Sequence, residues 1–292
     1  MRPEPVRQLF ARLALVLGRE SAKLELKWMK QAHAASASPT DLPTMLERRL
    51  QGEPLQYILG TTPFGSLDLL SRPPTLIPRP ETEDWALRLA STISPMANRP
   101  ISVLDLCTGS GCIPLLLCHL WPPGSTRAFG VDISPDAIRL ATDNAARCNI
   151  PASDHAFDNP RNTFIPVLGD IYDPGLLKEL DPPFDVVTSN PPYIPQHEYD
   201  ELPPSVKDYE DPIALLGDPP GAKEHNGLSF YERIAQLIGQ QGILRDGAIV
   251  ALEVGQGQAE AVESILRKRG GLRTTESWTD PWGKKRVVIG RT

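Results

Sequence analysis

The fold is decided by Phe184-Asp185-Val186-Val187-Thr188-Ser189-Asn190-Pro191-Pro192-Tyr193. Its first six residues form a short, largely apolar run of the kind that fills a buried strand. Two prolines then end that strand, because neither carries the N–H that a ladder needs. The stretch therefore delivers an amide side chain, two carbonyls and an aromatic ring to a strand's carboxyl end, where open α/β sheets bind ligands. Asn190 Oδ1 and the Pro191 carbonyl, next to the hydrogen-free Pro192 nitrogen, can each accept one N–H of a planar NH2 group, and Tyr193 can cover its flat face. Asn-Pro-Pro is also a plain turn, so its meaning depends on the elements around it.

Upstream, Ile101-Ser102-Val103-Leu104-Asp105-Leu106 reads as a parallel-type strand. It runs into Cys107-Thr108-Gly109-Ser110-Gly111-Cys112 and an apolar helix through Ile113, Leu115, Leu116 and Leu117. Glycine at 109 and 111 lets the backbone turn sharply and approach a ligand closely. The loop departs from the phosphate-binding G-x-G-x-x-G, since Pro114 takes the third glycine's place and Asp105 precedes it. An acid there disfavours pyrophosphate and suits a ligand with an ammonium group; S-adenosylmethionine carries an ammonium and a sulfonium. A second strand, Ala128-Phe129-Gly130-Val131, ends in Asp132, 21 residues after Gly111. Doubly wound domains place an acid there on the ribose hydroxyls. A third, Phe164-Ile165-Pro166-Val167-Leu168, ends in Gly169-Asp170-Ile171, where Asp170 can bind an adenine amine and Ile171 cover the ring. Any one of these acids also reads as a helix cap. Their order, at βα spacing and followed by Asn-Pro-Pro-Tyr, is what points to a cofactor site.

The whole chain of 292 residues is long enough for about two domains, with 40% hydrophobic and 23% charged residues, as in ordinary globular proteins. Its 31 prolines cluster at joints such as Arg72-Pro73-Pro74, Trp121-Pro122-Pro123 and Asp218-Pro219-Pro220, punctuating loops. No apolar run approaches the ~20 residues of a membrane-spanning helix, so no membrane partner is expected. Residues 1–60 hold nine Lys/Arg against six Asp/Glu, a net +3, which leaves -9 of the total -6 for the rest. An acidic main body argues against a nucleic-acid substrate, since phosphate contacts need clustered cations. Cys107, Cys112, Cys118 and Cys148 lack metal-type spacing and read as buried thiols in a reducing compartment. The five histidines are scattered, so neither a metal site nor a hydrolase is expected.

Residues 5–35 show helical periodicity, continued by Leu42, Met45, Leu46 and Leu50, with Ser38-Pro39-Thr40-Asp41 as a helix start. Their apolar faces suit a small bundle; the arginine-dotted beginning also has the look of a mitochondrial presequence. Two short apolar runs, Gln56-Tyr57-Ile58-Leu59-Gly60 and Phe64-Gly65-Ser66-Leu67-Asp68-Leu69, predict a hairpin. In Leu76-Ile77-Pro78-Arg79-Pro80-Glu81-Thr82-Glu83, Glu81 or Thr82 is expected to cap the next helix, and Arg79 either stiffens a linker or borders the cofactor pocket. Beyond the active loop, the Tyr209 segment reads as a lid or a surface loop, and Ala248-Ile249-Val250-Ala251-Leu252-Glu253-Val254 as a fifth strand.

The runs Asp105-Leu106-Cys107-Thr108-Gly109-Ser110-Gly111, Val131-Asp132, Gly169-Asp170 and Ser189-Asn190-Pro191-Pro192-Tyr193 resemble class I S-adenosylmethionine-dependent methyltransferases that act on amino groups. Gly52-Glu53-Pro54-Leu55-Gln56-Tyr57-Ile58-Leu59-Gly60, the Leu76–83 run and Val131-Asp132-Ile133-Ser134-Pro135-Asp136-Ala137 narrow the resemblance to the HemK/PrmC protein-glutamine methyltransferases. Two departures stand out: Cys107 where many relatives have glycine, and a lengthened loop at 218–225. The resemblance implies an α/β Rossmann-like domain, a seven-stranded mostly parallel sheet over residues 79–292. A helical substrate-recognition domain (1–60) and a hairpin connector (61–78) would precede it. It implies S-adenosylmethionine bound by Cys107, Thr108, Gly109, Ser110, Gly111, Asp132, Asp170, Ile171 and Asn190. Asn190, Pro191, Pro192 and Tyr193 would be catalytic, acting on the glutamine of the Gly-Gly-Gln motif of a peptide-chain release factor. The alternative is an adenine-N6 methyltransferase acting on DNA or RNA, which would stack a flipped base on Tyr193. A monomer is expected, in a mitochondrion, or in the cytoplasm if the source is bacterial.

Overall fold

The computed structural model describes residues 4–34, 40–153, 160–222 and 224–292. Helices α1 (Val6–Leu17), α2 (Arg19–Ala34), α3 (Leu42–Leu50) and α4 (Leu55–Leu59) come first. Gly18, at φ 81°, ends α1 and separates it from α2. Asp41 starts α3 by accepting the Thr44 N–H at 2.9 Å, while Ser38 and Pro39 of that predicted start lie outside the described residues. Leu9, Leu13, Ala22, Met29, Met45, Leu46, Leu55 and Ile58 give this unit a core of its own.

The hairpin is tighter than the sequence reading has it. Residues 56–59 belong to α4, which ends at left-handed Gly60, and the two strands are β1 (Thr61–Phe64) and β2 (Leu67–Leu70), antiparallel across Gly65-Ser66. Leu55 and Ile58 stand three apart and both enter the bundle core, so a helical period wins over an alternating one.

Next come α5 (Pro80–Thr92), β3 (Ile101–Leu106), α6 (Cys112–Leu120), β4 (Thr126–Asp132), α7 (Pro135–Arg147), β5 (Thr163–Leu168) and β6 (Phe184–Ser189). They are followed by α8 (Gln196–Asp200), α9 (Pro204–Lys207), α10 (Ser229–Ile238), β7 (Leu244–Glu253), α11 (Ala259–Arg269), β8 (Thr274–Thr279) and β9 (Lys285–Arg291). β3 to β9 form one seven-stranded sheet in the order β5-β4-β3-β6-β7-β9-β8. Only β9 runs against its neighbours, the arrangement expected of the class I methyltransferase fold. Two apolar clusters cover the faces, one built around Trp85 and α6, the other around Tyr231 and α10. The chain enters at β3, winds outward to β5, and returns to lay β6 against the other side of β3. That reversal makes a topological switch point at the carboxyl ends of β3 and β6, where such sheets bind ligands.

The start of α5 differs from the sequence reading. Arg79 occupies its N-cap without a side-chain cap, and Pro80 leads the helix, where a missing N–H costs nothing. Thr82 and Glu81 do not cap it; the Thr82 hydroxyl is engaged 171 residues away.

Candidate active site

A cavity of about 600 Å3 opens at the carboxyl ends of β3, β4, β5 and β6, within the ~300–1,000 Å3 of small-ligand sites. Cys107 and Gly109 line it from the β3 loop, Asp132 from the end of β4, Gly169, Asp170 and Ile171 from β5, and Asn190 and Pro192 from β6. Thr108, Ser110 and Gly111 are not on its wall. Thr108 and Ser110 are buried beneath the loop, and Gly111, at φ 78°, opens α6 where a Cβ would stand 3.2 Å from Phe164 and 3.3 Å from Ala141.

Asp132 holds the glycine loop in place. Its Oδ2 accepts the Gly109 N–H at 2.8 Å and its Oδ1 the Ser134 N–H at 2.9 Å, which leaves each oxygen a further lone pair for a ligand hydroxyl. Burial raises its carboxyl above the ordinary range, against the pull of those two amides. Asp170 accepts the Tyr172 N–H at 2.8 Å. Cys107 adopts φ 58°, the left-handed region glycine favours, and burial pushes its thiol well up, so it meets the cavity uncharged.

Asp105 departs from the sequence reading, which has it as an anion beside the loop. It is fully buried and accepts the Thr188 hydroxyl at 2.6 Å, and among the described residues no donor reaches its Oδ2. Burial pushes its carboxyl up to about 7, and it is not on the cavity wall.

At the end of β6, Asn190 Nδ2 donates to Thr82 Oγ1 at 3.2 Å. Among the described residues no donor reaches Asn190 Oδ1, and no N–H donates to the Pro191 carbonyl. Pro191 itself is buried. Tyr193 is turned away from the cavity: its ring packs on the Tyr231 core and its hydroxyl donates to Glu253 Oε1 at 3.3 Å. Its carbonyl accepts Gln258 Nε2 at 2.9 Å. Glu253 ends β7 fully buried, a position no sequence motif marks. Its Oε2 accepts from the Thr82 hydroxyl at 2.6 Å and Trp85 Nε1 at 2.8 Å, while burial raises its carboxyl.

The far wall is also absent from any motif. Asp211, Pro212, Ile213, Ala214 and Leu216 line it, continued by Asp218, Pro219, Pro220, Gly221 and His225 of the lengthened loop. This wall is strapped to the chain that leads into α5. Glu210 pairs with Arg79 at 2.5 Å, the Asp211 N–H donates to the Pro74 carbonyl at 2.8 Å, and the Tyr209 hydroxyl donates to the Gln51 carbonyl at 3.3 Å. Arg79, wedged between prolines, was the one visible sign of the strap.

No protein-family model matches the chain. It is 37% identical to the release factor glutamine methyltransferase of Thermodesulfovibrio yellowstonii, over 84% of this chain and 79% of that one. It is 35% identical to the release factor glutamine methyltransferase of Geobacter sulfurreducens, over 94% of this chain and 91% of that one. The chain belongs to the release factor glutamine methyltransferases. Among solved structures, the release factor-specific protein-(glutamine-N5) methyltransferase of Alicyclobacillus acidocaldarius is 26% identical and covers 74% of this chain and 93% of that one, with a TM-score of 0.40. The methyl donor of a glutamine methyltransferase of this family is S-adenosylmethionine, and the site's chemistry suits it. Asp132 keeps lone pairs beyond its two backbone donors, Asp170 adds a second carboxylate, and Ile171 and Phe230 add apolar surface to the cavity.

Proposed function

We propose that this chain methylates the side-chain nitrogen of the glutamine in the Gly-Gly-Gln motif of a peptide-chain release factor. The observation that carries the reading is the state of Asn190, which lines the cavity: its nitrogen is engaged by Thr82, and among the described residues no donor reaches its oxygen. A glutamine NH2 is planar and its lone pair is delocalised into the carbonyl, so geometry matters more than acid or base. Asn190 Oδ1 and the Pro191 carbonyl accept its two hydrogens and favour the charge that develops on nitrogen as the N–C bond forms. When bound, S-adenosylmethionine supplies an electrophilic methyl group on sulfur. Transfer of that methyl would form the N–C bond at the expense of the donor's C–S bond, and the glutamine nitrogen would give up one N–H proton to solvent. The Tyr193 backbone, held by Gln258, fixes the turn that aims both acceptors.

In this reading Asp132, Asp170 and Ile171 bind the donor, and Thr108, Ser110 and Gly111 shape the loop that carries Cys107 and Gly109. Residues 1–60 select the protein substrate, and residues 79–292 do the chemistry. The enzyme acts as a monomer away from membranes, and the lengthened 218–225 loop and the richness in proline favour a mitochondrial address. Light scattering tests the first, and tagging the full-length gene product tests the address; a purely cytosolic signal would remove the mitochondrial one. Labelled methyl transfer to release factor, to release factor lacking the motif glutamine, and to duplex DNA tests the activity. Label in DNA would favour the adenine-N6 alternative.

A further inference from the structure

Thr82, Trp85 and Glu253 lie behind the site, and none of them is on the cavity wall. All are buried, with Thr82 and Glu253 each 1% exposed. They form a chain of hydrogen bonds that ends on the group that meets the substrate. Trp85 Nε1 and the Thr82 hydroxyl both donate to Glu253 Oε2, at 2.8 and 2.6 Å. Thr82 Oγ1 in turn accepts from Asn190 Nδ2 at 3.2 Å.

The direction of every bond in this chain follows from what each group can do. An indole N–H donates and never accepts, so Glu253 Oε2 is an acceptor. Thr82 has one hydrogen, and facing that oxygen with Glu253 ionised it donates. Its oxygen then has only lone pairs left for Asn190. A primary amide presents either N–H or C=O, and which one is set by its hydrogen-bond network. Opposite a hydroxyl that has already given its hydrogen, Asn190 must turn its NH2 inward and its carbonyl toward the cavity.

We propose that Thr82 and Glu253 are positioning residues that fix the amide of Asn190 with Oδ1 toward the substrate, so that the site accepts a substrate NH2 and rejects an oxygen in its place. This rests on the proposed function, in that it takes the NH2 to be that of the motif glutamine. It gives the Pro-Glu-Thr-Glu stretch at 80–83 a part in catalysis. Thr82 reaches Asn190 from the first turn of α5, and Glu253 holds Thr82 from the end of β7.

Thr82→Val keeps the shape of the side chain and removes the hydroxyl. It frees Asn190 to present its NH2 to the cavity part of the time. Glu253→Gln is the complementary variant: because Trp85 can only donate, the new amide must turn its carbonyl toward Trp85 and Thr82 and its NH2 toward Tyr193. The polarity of Thr82 is thereby kept.

The test uses the full chain, release factor carrying Gly-Gly-Gln, and the same release factor with that glutamine changed to glutamate. With Thr82→Val, kcat should fall on the order of tenfold or more while the dissociation constant for S-adenosylmethionine moves less than about twofold. Thr82→Ser should restore kcat to within about threefold, and Glu253→Gln should stay closer to the parent than Thr82→Val does. The glutamate release factor should compete better against Thr82→Val than against the parent, because a flipped Asn190 can donate to a carboxylate. A general loss of packing would not improve a competitor. If Thr82→Val does not bind S-adenosylmethionine, and so is not folded, Thr82→Ala takes its place in the same comparison. Parent kcat and unchanged glutamate discrimination in the variant would overturn the inference alone. A parent that labels no glutamine would instead overturn the proposed function.

Discussion

Asp132 is the residue on which the cofactor reading is most exposed to test. Both its oxygens already hold backbone N–H groups of the loop and of α7, so removing it takes away ribose acceptors and also loosens Gly109. Asp132→Ala should weaken S-adenosylmethionine binding at least about tenfold, since charged hydrogen bonds contribute ~1.5–3 kcal/mol each. Calorimetry showing undiminished affinity would contradict it. Asp105 gives a pH signature of a different kind. Its folded carboxyl is raised to about 7 from an ordinary 3.8, so the folded state holds the proton more tightly than the unfolded chain. The stability it contributes is present below about pH 4 and is lost as pH rises to about 7, at up to ~1.4 kcal/mol per pH unit. Asp105→Asn keeps an acceptor for Thr188 and removes that slope. The melting temperature of Asp105→Asn relative to the parent should therefore climb from pH ~4 to pH ~7 and level off above it; a flat difference across that range would show that Asp105 does not titrate there. The places of Asp132 and Asn190, at strand ends on the cavity wall, were legible in the sequence because strand ends and prolines mark them locally. Asp105 was misplaced because burial is invisible in a motif. Glu253 was missed because its partners are Thr82 and Trp85, 171 and 168 residues away, which only the sheet brings together.

At the scale of elements, strands were the easiest to read. β3, β4, β5 and β6 are short apolar runs, the last three closed within two residues by aspartate, glycine or proline, and each stands within a residue or two of its expected place. The error came at α4, where five residues offer too short a window to separate helical from alternating period; the bundle core decided it. The wall at 211–221 had no periodic signal at all, because its place comes from the strap to Arg79, Pro74 and Gln51. The support behind the catalytic turn makes a testable contrast between two glycines of similar backbone. Gly227, at φ +74°, would bring a Cβ to 2.1 Å from the Tyr193 carbonyl oxygen, whereas Gly221, at φ +84°, faces open space. Gly221→Ala should cost only the left-handed conformation, ~1–2 kcal/mol, and Gly227→Ala should cost clearly more, because Tyr193 or Gln258 must move. Denaturant unfolding compares them. Equal costs would mean that the turn after Asn190 tolerates displacement.

For the whole molecule, the division of labour is the open proposal. The pocket around Asn190 can recognise little beyond an amide and its adjacent glycines, and the basic helical unit, with its own core, is a second surface of opposite sign to the acidic body. Removing residues 1–50 should leave S-adenosylmethionine affinity nearly intact and raise KM for release factor much more than for a short Gly-Gly-Gln peptide. Equal losses on both, with a lower melting temperature, would assign the bundle a packing role only. The central claim is that Asn190, held by its neighbours, presents a glutamine nitrogen for methylation. Fragment-ion mass spectrometry of release factor after reaction with S-adenosylmethionine locates the added methyl group directly. One methyl on the side-chain nitrogen of the Gly-Gly-Gln glutamine, falling on the order of a hundredfold in rate with Asn190→Ala, is the predicted result. A methyl elsewhere on the factor, or an undiminished rate in Asn190→Ala, would contradict it.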